Sequence, residues 1–147
     1  MRRSKALAIL SRDHHQALVV ASALRRADDA DAAQARRLFL EFWEREGQNH
    51  FRQEEELLLP AYAVFGDAYD PLVLRMLGDH VVIRAQAAGL ITQPDSNADT
   101  LHRLAARLTA HVRLEERELF PVIEQTMPPK ELAELALTLE QARQNQG

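Results

Sequence analysis

The sequence predicts an all-α protein, an up-down-up-down four-helix bundle with an additional C-terminal helix. Three observations lead there. Ala, Leu, Arg and Glu are abundant while only 5 % of residues are aromatic and 5 are glycine, a composition that favours helices over sheets. Four long segments carry apolar residues at alternating spacings of three and four, the pattern of a helix with one buried stripe. The connections between these segments are short, so consecutive helices are antiparallel neighbours. At 147 residues the chain has the length of one ordinary domain, and 46 % hydrophobic residues suffice for its core.

The first segment runs from about Ser4, a good N-cap, to Ala27, with Leu7, Leu10, His14, Ala17, Ala21 and Leu24 on one stripe. Arg25 and Arg26 suit its C-terminus. Asp28-Asp29-Ala30-Asp31 reads as a turn, with Asp31 capping the next helix. The second segment, about Ala32 to Leu59, turns Leu38, Phe39, Phe42, Trp43, Glu46, His50, Glu54, Leu57 and Leu58 to one broad face. Pro60 is expected to end or kink it, with a last turn before a stop at Gly66. Asp70 as N-cap and Pro71 at the first helical position open the third segment, which reaches about Thr92 and presents Leu77, His80, Ile83, Ala87 and Leu90. Gln93-Pro94-Asp95-Ser96-Asn97 breaks the chain. The fourth segment, about Ala98 to Phe120, aligns Leu101, Leu104, Leu108, His111, Glu115 and Leu119. Met127-Pro128-Pro129 separates a fifth helix, about Lys130 to Arg143, whose apolar residues are Leu132, Leu135, Ala136 and Leu139, and the end Gln144-Asn145-Gln146-Gly147 is expected to fray.

Composition excludes several kinds of chemistry. The chain has no cysteine, so disulfides, thiolate-held iron–sulfur clusters and thiol-bound zinc are absent. A net charge of −4 argues against a general nucleic-acid surface. The start, Met1-Arg2-Arg3-Ser4, leads into an amphipathic segment, so neither a signal peptide nor a membrane span is expected and the default location is cytoplasmic.

One stretch occurs twice. His50-Phe51-Arg52-Gln53-Glu54-Glu55, followed by Leu58 and Pro60, returns 61 residues later as His111-Val112-Arg113-Leu114-Glu115-Glu116, followed by Leu119 and Pro121. A His and a Glu four apart lie one above the other on a helix, where an imidazole and a carboxylate can share a metal ion. The first and third segments match more weakly: Leu10-Ser11-Arg12-Asp13-His14 resembles Leu77-Gly78-Asp79-His80 in its ending, allowing one extra residue. Each bundle helix therefore carries one inward histidine (His14, His50, His80, His111), and the second and fourth add Glu54 and Glu115. Two buried glutamates without compensation would cost several kcal/mol, and a dinuclear cation offsets that cost for both.

The donor count fits. Two six-coordinate irons offer about twelve positions. Two bridging carboxylates take about four, four histidines about four, and a shared oxo or hydroxo group about two, which leaves a position or two for water or a small ligand. Imidazole with carboxylate suits iron, manganese or zinc, and iron is preferred because such a pair can bind and reduce dioxygen or nitric oxide. The Glu-x-x-His pattern of ferritin-like bundles is absent. His15 is the alternative to His14; it shares a half-exposed face with Ser11, Leu18, Ser22 and Arg25, which favours His14 as the ligand. His102 is half a turn off the ligand face and reads as solvated. Glu46 reads as a partner for Arg84 or Arg107, and Glu55 and Glu116 as solvated or ion-paired. Phe42, Phe51, Leu58, Leu119, Phe120 and Tyr62 read as packing.

The order H…H-x-x-x-E…H…H-x-x-x-E, with Leu-Phe-Pro after the last motif, resembles the hemerythrin-like, HHE cation-binding family over roughly residues 4–122. The resemblance implies one hemerythrin-like domain over 1–147, with the bundle at about 4–122 and the added helix at about 129–143. It implies a non-haem diiron centre held by His14, His50, Glu54, His80, His111 and Glu115, with Glu54 and Glu115 bridging. It further implies a small diatomic ligand or peroxide as partner, through binding or sensing, with peroxide breakdown, nitric oxide reduction or iron delivery as the enzymatic alternative. A metal-free bundle that docks a protein through its fifth helix is the third reading, and a protein partner or oligomer stays open. Two departures separate the chain from the oxygen carriers of this family. Arg84 stands where they place a second histidine one turn after the third-helix one, and their final His-x-x-x-x-Asp is here His-x-x-x-Glu.

Overall fold

The computed structural model describes residues 3–95 and 97–146. Met1, Arg2, Ser96 and Gly147, which carry parts of the expected start, the 93–97 break and the C-terminal end, lie outside the described residues. Among the described residues the chain forms five helices and no strand. Helix α1 spans Lys5–Arg26. Helix α2 is continuous over 32–63: the α-helical stretches Ala32–Phe42, Gln48–Gln53 and Leu59–Ala63 are joined by wider π-helical turns at Trp43–Gly47 and Glu54–Leu58. Helix α3 spans Pro71–Thr92. Helix α4 is continuous over 98–126, with Ala98–Leu114 and Phe120–Thr126 joined by a π turn at Glu115–Leu119. Helix α5 spans Pro129–Gln146 and so runs through the residues 144–146 that were expected to fray.

The prolines do not end their helices. Pro60 and Pro121 lack an N–H and crowd the carbonyl four residues back, which would break an ordinary α-turn. Here the turn before each proline is widened, so that Leu59 N–H donates to the Glu54 carbonyl and Phe120 N–H to the Glu115 carbonyl, five residues back. The helices then continue to Ala63 and Thr126. This corrects the expected ends at Leu59 and Phe120.

Caps follow local chemistry. Ser4 Oγ accepts from Leu7 N–H at 3.3 Å, Asp70 Oδ1 from Leu72 N–H at 2.8 Å, and Asn97 Oδ1 from Thr100 N–H at 3.0 Å. Asp31 makes no such cap on α2. Its backbone is not extended, and its side chain turns back to accept from Asp28 N–H at 2.7 Å. Gly66 closes α2 without a left-handed conformation; a Cβ there would meet the Tyr62 ring at 2.4–2.6 Å.

The core falls into two apolar clusters. At one end of the bundle Leu7, Leu10, Leu58, Met76, Leu119 and Phe120 pack together, and α5 closes this end with Leu132, Leu135, Ala136 and Leu139. The fifth helix thus spends its apolar face on its own bundle, which removes that face as a docking surface. At the other end Val20, Leu24, Phe39, Trp43, Ile83, Leu90, Leu104 and Leu108 form the second cluster. Leu38 is not part of it and stands 39 % exposed, contrary to the expected broad face of α2. Seven buried polar or charged side chains stand out against this apolar interior, His14, His50, Gln53, Glu54, His80, His111 and Glu115. No helix among the described residues is long and apolar enough to cross a membrane.

Candidate metal centre

The six side chains singled out from the sequence meet. His14 on α1, His50 and Glu54 on α2, His80 on α3, and His111 and Glu115 on α4 are all buried, the two glutamates completely. Every histidine turns Nε2 inward. His14 Nε2 lies 2.7 Å from Glu115 Oε1, His50 Nε2 3.2 Å from Glu54 Oε2, His80 Nε2 3.1 Å from Glu54 Oε1, and His111 Nε2 3.2 Å from Glu115 Oε2. Two overlapping sets of ligand atoms result, each within 4.8 Å: His14, His50, Glu54 and Glu115, and Glu54, His80, His111 and Glu115. Both glutamates belong to both sets.

Four atoms of this layer are buried with no hydrogen-bond partner: His50 Nε2, Glu54 Oε2, His111 Nε2 and Glu115 Oε2. They lie in two pairs, His50 Nε2 with Glu54 Oε2 and His111 Nε2 with Glu115 Oε2, each 3.2 Å apart but at angles that make no hydrogen bond. Buried polar atoms are paired in native proteins, and orphaned ones call for an explanation. A cation in each of the two ligand sets would satisfy all four, so the donor set fits a metal.

A second ring surrounds the first. Each Nδ1 faces a carboxylate on the preceding helix of the bundle. His50 faces Asp13 at 2.7 Å, His80 faces Glu55 at 2.5 Å, His111 faces Asp79 at 3.1 Å, and His14 faces Glu116 at 2.8 Å, which closes the circle from α4 back to α1. An Nδ1–H held outward fixes the ring orientation and leaves Nε2 for the interior. Each outer carboxylate meets an arginine in turn: Asp13 meets Arg143, Glu55 meets Arg84, Asp79 meets Arg107 and Glu116 meets Arg3. With the outer carboxylates balanced in this way, the charge of Glu54 and Glu115 remains for a cation at the centre.

These contacts govern protonation. Burial pushes His111 down, but the charge of Glu115 and the hydrogen bond that its Nδ1–H donates to Asp79 overcome it and hold the ring up at about 10. His50 is raised well above the usual imidazole value against the same burial, by Glu54 and Asp13, and His14 is raised by Glu115 and Glu116. Burial would raise Glu115, yet the charge of His111 and the hydrogen bond of His14 hold it well below the carboxylate range. Against burial, the His50 and Arg143 contacts bring Asp13 to about 2, and Glu55, Asp79 and Glu116 are lowered by their own His and Arg partners. Without a metal the cluster holds protons; a metal entering must displace them.

A small apolar cavity of about 20 Å³ touches the layer on one side. Its wall includes His14, His50, His111, Phe39, Phe42, Trp43, Phe51, Leu108 and Val112, and none of α3. The volume is that of about one water-sized molecule. The π turn at Trp43–Gly47 shapes this wall and has no counterpart 61 residues later. Gly47 is required there, because a Cβ would stand 2.7 Å from the Trp43 ring. Phe51 stacks on His80 at 3.8 Å between ring centroids and is itself covered by the Arg84 guanidinium.

The remaining expectations divide. His14 is buried within the layer and His15 is exposed. His102 lies away from the layer and meets the Ala27 carbonyl at 2.7 Å. Glu46 is exposed and pairs with neither Arg84 nor Arg107, because Glu55 and Asp79 hold those arginines. Glu55 and Glu116 are ion-paired as expected. Asp13 and Asp79 are site residues that the spacing along one helix does not find, although each stands directly before a histidine, in the repeated Asp-His pairs. Phe51, Phe120 and Tyr62 are buried packing residues.

Fold and site together define a class: a helical bundle built around a buried histidine–carboxylate cluster that fits a cation. More narrowly, the Hemerythrin HHE cation binding domain matches residues 5–123, and the chain belongs to that family. No curated protein and no solved structure gives a significant match to the chain.

Proposed function

We propose that the chain is a non-haem diiron protein that binds or senses a small ligand such as dioxygen, nitric oxide or peroxide. The observation that carries this reading is the set of four orphaned buried atoms, from two histidines and both glutamates, inside two overlapping ligand sets. In this reading His14 and His50 hold one iron, His80 and His111 the other, and Glu54 and Glu115 bridge them. Imidazole and carboxylate without thiolate suit iron. When bound, the iron pair supplies electrons and open coordination positions for a small oxidant. The protein's own residues do the rest. The outer carboxylates aim the histidines, the two apolar clusters keep bulk water away, and the cavity beside His14, His50 and His111 has room for about one small molecule.

The test is anaerobic loading with ferrous iron, metal analysis, and then exposure to dioxygen or nitric oxide with an optical spectrum. Two irons per chain and a new near-ultraviolet oxo-to-iron absorption on oxygenation are expected. Less than one iron per chain would overturn the reading. One stoichiometric event per chain marks a binder or sensor, and sustained consumption of the ligand marks an enzyme.

A further inference from the structure

The arginines behind the outer carboxylates do not follow the internal repeat. In one half of the layer they come from the bundle: Arg107, one turn before His111 on α4, backs Asp79, and Arg84, one turn after His80 on α3, backs Glu55. In the other half the equivalent positions cannot do this. Glu46 stands 61 residues before Arg107 and carries the wrong charge for Asp13. The cation comes instead from α5, a helix outside the repeat. Arg143 grips Asp13 as a two-pronged fork, Nη1 to Oδ1 at 3.0 Å and Nη2 to Oδ2 at 2.5 Å. The same guanidinium donates to Gln53 Oε1 from Nε at 3.1 Å and from Nη2 at 2.9 Å. Gln53 is a buried polar residue one position before Glu54. Asp13 in turn holds His50 Nδ1.

We propose that Arg143 on α5 is a positioning residue for one metal position only, the one served by His14 and His50, and that the C-terminal helix is part of the metal centre. The inference rests on the metal-binding reading above and deepens it. The geometry gives the reason for the selectivity. Arg143 acts on His50 through Asp13 and touches nothing that holds His80 or His111, whereas Arg84 acts on His80 through Glu55. A fork fixes both oxygens of a carboxylate, and with them the direction of the hydrogen bond that orients the imidazole. Loss of such an outer contact typically lowers metal affinity about 10- to 100-fold.

The experiment is a set of anaerobic ferrous titrations followed by calorimetry, on the full chain and on the variants Arg143→Gln, Arg84→Gln, the double variant and Leu139→Ala, with thermal melts of each metal-free protein. Arg143→Gln is expected to split the isotherm, one metal retained at wild-type affinity and one weakened about 10- to 100-fold. Arg84→Gln is expected to do the same, and the double variant to keep no tight metal, since the two arginines serve different positions. Leu139→Ala loosens the packing of α5 but keeps the fork, so it lowers the melting temperature more than Arg143→Gln and leaves the isotherm unsplit. Equal weakening of both metals in Arg143→Gln, a tight metal surviving in the double variant, or a split isotherm in Leu139→Ala would each overturn the proposal. Wild type binding two irons with any of those outcomes rejects the positioning role alone; wild type binding none rejects the diiron reading and this inference with it.

Discussion

The two halves of the polar layer descend from one pattern but are finished differently. Both have a histidine on each of two helices, a glutamate four residues after one of them, and a π turn that starts at that glutamate. In the half with His80 and His111, Phe51 stacks flat on His80, only His111 reaches the small apolar cavity, and the arginines, Arg84 and Arg107, lie on α3 and α4. The half with His14 and His50 is open on one side to the small apolar cavity, and its arginines come from the two ends of the chain, Arg3 and Arg143. The repeat supplies the framework that carries the His and Glu side chains, and the departures from it decide what surrounds each half.

The largest expected effect comes from what the halves share. Glu115→Ala removes the carboxylate next to His14 and His111 and is expected to drop iron content to one per chain or less by elemental analysis; Glu54→Ala is expected to do the same. The metal-free Glu115→Ala protein should also lose about 3–5 kcal/mol in a denaturant melt at neutral pH, because raised histidines lose a buried partner. Wild-type iron content in both variants would show that the glutamates do not join the halves.

Next in size is the cavity. Gly47→Ala places a Cβ 2.7 Å from the Trp43 ring, so that this ring, part of the cavity wall, must shift. Two irons per chain are expected to remain, while stopped-flow mixing of the diferrous protein with nitric oxide slows by about tenfold or more, about 1.4 kcal/mol of barrier. An unchanged rate would place the approach of the ligand elsewhere.

The halves should respond to pH in one sense. His111 is raised in the metal-free fold, so its stabilising contribution is whole below the ordinary imidazole value of 6.5 and fades as pH rises through about 10. Glu115 is lowered, so its contribution is present above the ordinary 4.5 and fades as pH falls below it. Melts of the metal-free protein should therefore show a maximum between about pH 4.5 and 6.5. Metal binding releases these protons, so the loaded protein should shift its maximum to higher pH. A metal-free maximum above pH 8 would contradict the proton-held cluster.

The smallest effect belongs to His15. It is exposed and next to His14 in sequence, so His15→Ala should leave iron content and melting temperature unchanged within error. Loss of a metal in that variant would exchange the assignments of the two histidines.

How much of this could be read beforehand follows from the reach of helical spacing. The inward set was legible, because His50 with Glu54 and His111 with Glu115 sit four apart on long stripes. The outer ring was not. Asp13, Glu55, Asp79 and Glu116 each adjoin a ligand in sequence, which turns them about 100° away, toward a neighbouring helix and a histidine that spacing within one helix cannot find. The signal available was the repetition of the Asp-His and Glu-Glu pairs themselves. The π turns were hidden for a related reason. A proline in a helical stripe reads as a stop, and only the apolar residues beyond it, Tyr62 and Ile123, hint that the helix continues.

The most direct test of the central claim is the metal stoichiometry of the wild-type protein after anaerobic ferrous loading and removal of excess iron. Two irons per chain, falling to one or fewer in Glu54→Ala and Glu115→Ala, is the result expected of two ligand sets joined by shared glutamates. A value below one in wild type, or two in wild type and still two in both variants, would contradict it.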